Sequence, residues 1–134
     1  MGNQFRPEHR VRKQADFDRV YAARQFAADG VLIVNAAENC LTHSRLGLSI
    51  GKIVGNAVVR NRWKRLIREA FRLSRTELPM GLDFVVRPQK AAVAEFEPIR
   101  RSLIALTAKI AKRLQRKPTA ASSRDQIWSR RAAE

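Results

Sequence analysis

Between residues 55 and 75 the chain reads Gly55-Asn56-Ala57-Val58-Val59-Arg60-Asn61-Arg62-Trp63-Lys64-Arg65-Leu66-Ile67-Arg68-Glu69-Ala70-Phe71-Arg72-Leu73-Ser74-Arg75, and no glycine or proline follows until Pro79 and Gly81. Gly55-Asn56 is a helix-start signal, because an asparagine side chain can accept a backbone N–H of the first turn. The spacing predicts a helix over about 57–75. At about 100° per residue, Val59, Trp63, Leu66, Ile67, Ala70 and Leu73 gather on one arc. Arg60, Lys64, Arg65, Arg68, Arg72 and Arg75 share the other with Asn61, Arg62 stands near the boundary, and Glu69 is the only acid among them. The apolar arc requires a sheet to bury it.

A surface helix ordinarily mixes acids with bases, since i,i+4 ion pairs stabilise by about 0.2–0.5 kcal/mol and like pairs cost a similar amount. A nearly pure arginine face is self-repelling until an anion relieves it. Arginine's planar fork holds phosphate with two hydrogen bonds and also stacks on bases, so this face suits folded RNA. A merely solvated face is the alternative.

Towards the N-terminus, Asp16, Phe17, Val20, Tyr21 and Arg24 recur at helical spacing, predicting a helix over about 14–23 with Asp16 as its cap. Val31–Val34 is β-branched and apolar. In Arg45–Gly51, Leu46, Leu48 and Ile50 alternate with Gly47, Ser49 and Gly51. The two segments read as paired antiparallel strands joined by a polar loop. The small-residue side of the second admits a close neighbour, a helix or a nucleic-acid backbone, with loose packing as the alternative.

Towards the C-terminus, Phe84–Val86 reads as a buried strand. Pro98 suits a first helical turn, Glu95 and Glu97 favour its positive end, and Ile99, Leu103, Leu106, Ile110 and Leu114 mark one apolar stripe facing the sheet. The pattern fails beyond Pro118. Residues 1–117 are therefore read as one α+β domain and residues 118–134, around Trp128, as a flexible basic tail.

Composition narrows the partners. The 134 residues carry 27 basic and 12 acidic side chains, net +15, yet 45% are hydrophobic, so the chain folds rather than behaving as a disordered polycation. Such a charge calls for a polyanion. No run of about 18 apolar residues exists to span a bilayer, and Met1–Arg10 lacks the apolar stretch of a signal peptide, which points to the cytoplasm and away from membranes. An exposed amphipathic helix on a membrane surface remains the competing reading. Cys40 is the sole cysteine, so no internal disulfide forms, and His9 and His43 are too few for a zinc site. No catalytic cluster is visible: Asp16 and Asp18 are the nearest acids, and side chains two apart on a helix diverge.

The run Gly55 to Glu69, with its Arg60-Asn61-Arg62 centre, resembles the RNR signature of the bacterial ribonuclease P protein family. The resemblance extends through Asp16-Phe17, Arg45-Leu46-Gly47-Leu48-Ser49-Ile50 and Asp83-Phe84-Val85-Val86, covering roughly residues 9–115. It implies an α-β-β-β-α-β-α single-domain sandwich: one mainly antiparallel sheet with helices packed on it and a left-handed βαβ crossover, where the general rule favours right-handed. It implies that Asn56, Arg60, Asn61, Arg62, Lys64, Arg65 and Arg68 bind an RNA subunit.

It further implies a cleft between the first helix and the sheet for the single-stranded 5′ leader of precursor tRNA, with Phe17, Tyr21, Arg12 and Lys13 as contacts. From spacing alone, Phe17 and Tyr21 read as core, and Arg12 and Lys13 as solvated. Ile53 and Ile33 depart from the family pattern, where a lysine and an aromatic are usual, and both departures weaken the cleft assignment. The implied activity is endonucleolytic removal of the 5′ leader, with magnesium held mainly by the RNA subunit, no metal or catalytic residue on the protein, and no obligate protein partner. A ribosomal or general structured-RNA-binding protein and a self-sufficient nuclease are the alternatives.

Overall fold

The computed structural model describes residues 7–116. Its main elements are α1 (Gln14–Ala22), β1 (Gln25–Ala28), β2 (Leu32–Glu38), β3 (Arg45–Leu48), α2 (Ala57–Leu73), β4 (Leu82–Pro88) and α3 (Phe96–Arg116), the α-β-β-β-α-β-α order that the resemblance implies. The proposed tail lies outside the described residues. Among those described, no helix is long and apolar enough to cross a membrane.

Local chemistry starts the long helix where the sequence places it. The Asn56 side chain accepts the Val59 N–H at 3.0 Å, satisfying one of the donors that a helix N-terminus leaves open. The first helix differs from expectation. Its cap position is Lys13, which makes no side-chain capping bond, and Asp16 lies inside the first turn. Asp16 is drawn to cations instead, 3.5 Å from both Arg19 and Arg45.

The sheet has the order β1-β2-β4-β3. β1 and β4 pair antiparallel with β2, while β3 pairs parallel with β4, so α2 is the crossover between two parallel neighbours. The predicted antiparallel pairing of the Val31–Val34 and Arg45–Gly51 segments is therefore wrong. β4 inserts between them, and β3 ends at Leu48. Local spacing cannot reveal such an insertion, because β4 lies more than thirty residues further along the chain.

Strand alternation assigns the two faces. Leu32, Val34, Ala36, Leu46, Phe84 and Val86 face the α2/α3 layer, where they bury Trp63, Ile67, Ala70, Phe71, Ile99, Leu103, Leu106 and Ile110. Ala37 and Val85 face the other way and pack with Val20 and Phe17 of α1. Leu114 packs at the margin of the main core. Val59 and Leu73, expected inside, are 37% and 43% exposed, and Phe71 is buried in their stead. Phe71, one turn beyond Ile67, extends the buried arc on one side of Trp63 and Ile67, whereas Val59 and Leu73 fall off the other side.

Candidate RNA-binding surfaces

α2 turns its polar arc away from the core. Asn61, Arg62 and Arg65 are exposed, while Arg60, Lys64 and Arg68 are half-buried along the sides. Two of the candidates are tied down locally. The Arg60 Nε donates to the Gly55 carbonyl at 3.2 Å, and the Arg62 Nε donates to the Ala94 carbonyl at 3.0 Å, just before α3. Asn56 is exposed, and its side-chain oxygen serves as the cap. Arg72 pairs with Glu69, whose carboxyl that hydrogen bond holds below the usual range. Arg65 and Asn61 thus stand at the centre of the outward face.

On the opposite side of the sheet, Phe17 lies against β3 over Gly47. A Cβ at Gly47 would come within 3.0 Å of two Phe17 ring carbons and of the Val11 Cβ, so the small-residue side of the strand admits a helix. Phe17 is consequently half-buried, and Tyr21, one turn on, is 38% exposed. Arg12 and Lys13 are exposed immediately before α1. Arg12 and Phe17 line one recess beside β3, while Lys13 stands at the cap position of α1 and Tyr21 near its other end.

Sequence reasoning named Ile33 for this side but missed the rest of its floor. Alternation and register put Phe26, Ile33, Asn35 and Arg87 on the sheet face that α1 partly covers. Phe26 is 54% exposed. The Asn35 Oδ1 and Arg87 Nε are buried and lack hydrogen-bond partners among the described residues. Polar side chains within otherwise apolar strands were the available signal, since buried polar atoms are nearly always paired.

The placement of α1 rests on a buried carboxylate. Asp83 is fully buried on β4. It accepts from Arg45 Nε at 2.8 Å and Nη2 at 2.6 Å, from Asn39 Nδ2 at 2.9 Å, and from Arg19 Nη2. Arg19 also donates to the Glu38 carbonyl at 2.7 Å, so it ties α1 to β2 and β4 together. Burial pushes the Asp83 carboxyl up. Hydrogen bonds from Arg45 and Asn39, the Arg45 charge and the Arg19 hydrogen bond outweigh it and hold the group below the usual range. One acid inside the run Leu82-Asp83-Phe84-Val85-Val86 was the sequence signal, because a buried acid demands a partner.

Among the described residues, no group of three or more histidine, cysteine, aspartate or glutamate side chains is arranged to hold a metal ion.

Comparison with known proteins gives this arrangement a lineage. The family described as Ribonuclease P matches residues 5–111. A ribonuclease P protein component of Alkaliphilus oremlandii is 33% identical over 103 residues, spanning 76% of this chain and 90% of the relative. That of Brevibacillus brevis is 38% identical over 120 residues, spanning 87% and 94%. Among solved structures, the RNase P protein of Staphylococcus aureus is 36% identical with a TM-score of 0.67, covering 78% of this chain and 95% of that one. The RNase P protein from Thermotoga maritima is 30% identical with a TM-score of 0.68, covering 75% and 96%. A family match across the cationic helix, the sheet and both flanking helices, together with relatives matched over nearly their whole length, establishes that this chain belongs to the ribonuclease P protein family.

Proposed function

We infer that the chain works in the cytoplasm as the protein component of ribonuclease P, an endoribonuclease that removes the 5′ leader of precursor tRNA. In this reading the outward arc of α2, centred on Asn61 and Arg65 and flanked by Arg60, Arg62, Lys64 and Arg68, docks on the RNA subunit. Asn56 contributes by fixing the first turn. The α1 side, with Tyr21 and Phe17 and the flanking Arg12 and Lys13, receives the leader. The observation that carries the reading is a helix whose buried arc fixes it to the sheet while its outward arc is arginine-rich with one acid, Glu69, already engaged by Arg72.

Counterion release from phosphate supplies affinity, and stacking of an unpaired base on an exposed ring supplies preference for leader-bearing substrate. In this reading no step of hydrolysis falls to the protein's side chains. The magnesium ions of the reaction are assigned to the RNA subunit, with the protein screening repulsion between two polyanions.

The two surfaces separate by mutation. Arg65→Ala is expected to weaken RNA-subunit binding by about 1.5–3 kcal/mol, one charge-assisted contact, and to lower the salt slope by about one. Tyr21→Ala is expected to lower affinity for leader-bearing precursor by about 1–3 kcal/mol while leaving assembly with the RNA subunit unchanged. Equal effects of both variants on RNA-subunit binding would refute the two-surface arrangement.

A further inference from the structure

α3 forms the other half of the helical layer, and its outward side carries a charge pattern of its own. Ile99, Leu103, Leu106 and Ile110 are buried against the sheet. At about 100° per residue the opposite crest consists of Arg101, Ala105, Ala108 and Lys112, with Lys109 beside it. All five are exposed. From Arg101 to Lys112 the crest runs about 16 Å along the helix axis.

The acids near α3 are engaged on its flanks. Towards α2, Arg100 lies 3.8 Å from Glu77 and 3.6 Å from Glu97. Glu97 precedes Arg101 by four residues, the spacing of a helical ion pair, yet its carboxyl meets Arg100 instead. On the other flank, Asp29 accepts from Ser102 Oγ at 2.6 Å and from the Val31 and Leu32 N–H groups, and the Lys109 charge acts on it from nearby. Among the described residues, no carboxylate lies within ion-pair distance of Arg101 or Lys112.

A row of uncompensated cations separated by two alanines suits an extended polyanion. The small alanines let a phosphate backbone approach the helix while the longer side chains at either end reach its oxygens. A lipid surface would need large apolar side chains on the same side, and those of α3 are buried in the core. Position in the fold selects the RNA. α2 and α3 bury their apolar faces in one core on the same side of the sheet, and Arg62 of α2 holds the Ala94 carbonyl just before α3. The crest therefore continues the outward arc of α2, whereas α1 and the leader side lie across the sheet.

We propose that the outward crest of α3, with Arg101, Lys109 and Lys112, is a second contact surface for the phosphate backbone of the RNA subunit, extending the docking face of α2. This rests on the reading that α2 docks on that subunit. It gives α3 a binding role in addition to its packing role.

The first test measures binding of the full chain to a bacterial ribonuclease P RNA across a salt series. Wild type is compared with Arg101→Gln/Lys112→Gln and with a charge-matched control, Arg24→Gln/Lys90→Gln, whose cations are exposed just after α1 and just after β4. The crest variant should lower the slope of log affinity against log salt by about two, one for each phosphate contact. The control should leave it unchanged. An unchanged slope in the crest variant, or an equal fall in the control, overturns the surface.

The second test incorporates benzoylphenylalanine in place of Ala108 and irradiates the complex assembled with the RNA subunit and precursor tRNA. Crosslinks to the RNA subunit are expected, and crosslinks confined to precursor tRNA, or none, overturn the assignment. If the crest variant binds like wild type while Arg65→Ala impairs assembly, the α3 surface alone is wrong and the proposed function stands. If Arg65→Ala has no effect either, the α2 docking reading fails with it.

Discussion

Replacing Asp83 by asparagine keeps the side-chain shape and removes the charge on which Arg45 and Arg19 converge. Removing one partner of a buried ion pair typically costs about 3–5 kcal/mol, because the remaining charge is left uncompensated. Here Asp83 is 0% exposed, but the Arg45 and Arg19 side chains are 22% and 39% exposed and keep part of their hydration. The cost therefore falls near the low end, about 3 kcal/mol. For a domain of this size that corresponds to roughly 10–20 °C in the unfolding midpoint.

The sign with pH follows from the depressed carboxyl. The stabilisation is complete above the unfolded-state value, near 3.8, and is lost as pH falls through the lower folded-state value. Thermal unfolding followed by circular dichroism should show the full gap between wild type and Asp83→Asn at pH 7, closing below about pH 4. A gap under about 1 kcal/mol at pH 7, or one that stays constant down to pH 3, would refute the claim that this carboxylate holds α1, β3 and β4 together.

Two further substitutions probe how local chemistry builds the surfaces. Asn56→Ala removes the cap on α2 and should destabilise the fold by about 1 kcal/mol, with faster amide exchange at Val59 and little else changed. Gly47→Ala forces a Cβ to within 3.0 Å of the Phe17 ring and of Val11. The backbone there is ordinary strand, so the cost, about 1–3 kcal/mol, comes from displacing Phe17, and leader-dependent affinity should fall in parallel. Unshifted Phe17 ring signals in Gly47→Ala would contradict that packing.

Much of the molecule was legible wherever one segment's own periodicity determined its fate. α2 announced itself through Asn56 and an uninterrupted two-arc pattern, α3 through Pro98 and its stripe, and β4 through an apolar run. What escaped depended on partners distant in sequence. β1 is four residues at a sheet edge, too short for alternation to register. The β3–β4 pairing links segments joined only through α2, and its insertion beside β2 overturned the expected hairpin. Asp16 looked like a cap because, although Arg19 follows it at i+3, Arg45 cannot be placed beside it from spacing. The cationic face and the Phe17–Tyr21 pair were visible as patterns, whereas the meeting of Asn35 and Arg87 on one sheet face depends on how the strands pair.

The most direct trial of the central claim is cleavage of end-labelled precursor tRNA at low magnesium by a bacterial ribonuclease P RNA, with and without this protein, beside the protein alone. The proposed function predicts cleavage at the mature 5′ end that requires the RNA and is enhanced by the protein, with none from the protein by itself. Failure of the protein to enhance cleavage, or cleavage by the protein alone, would contradict it.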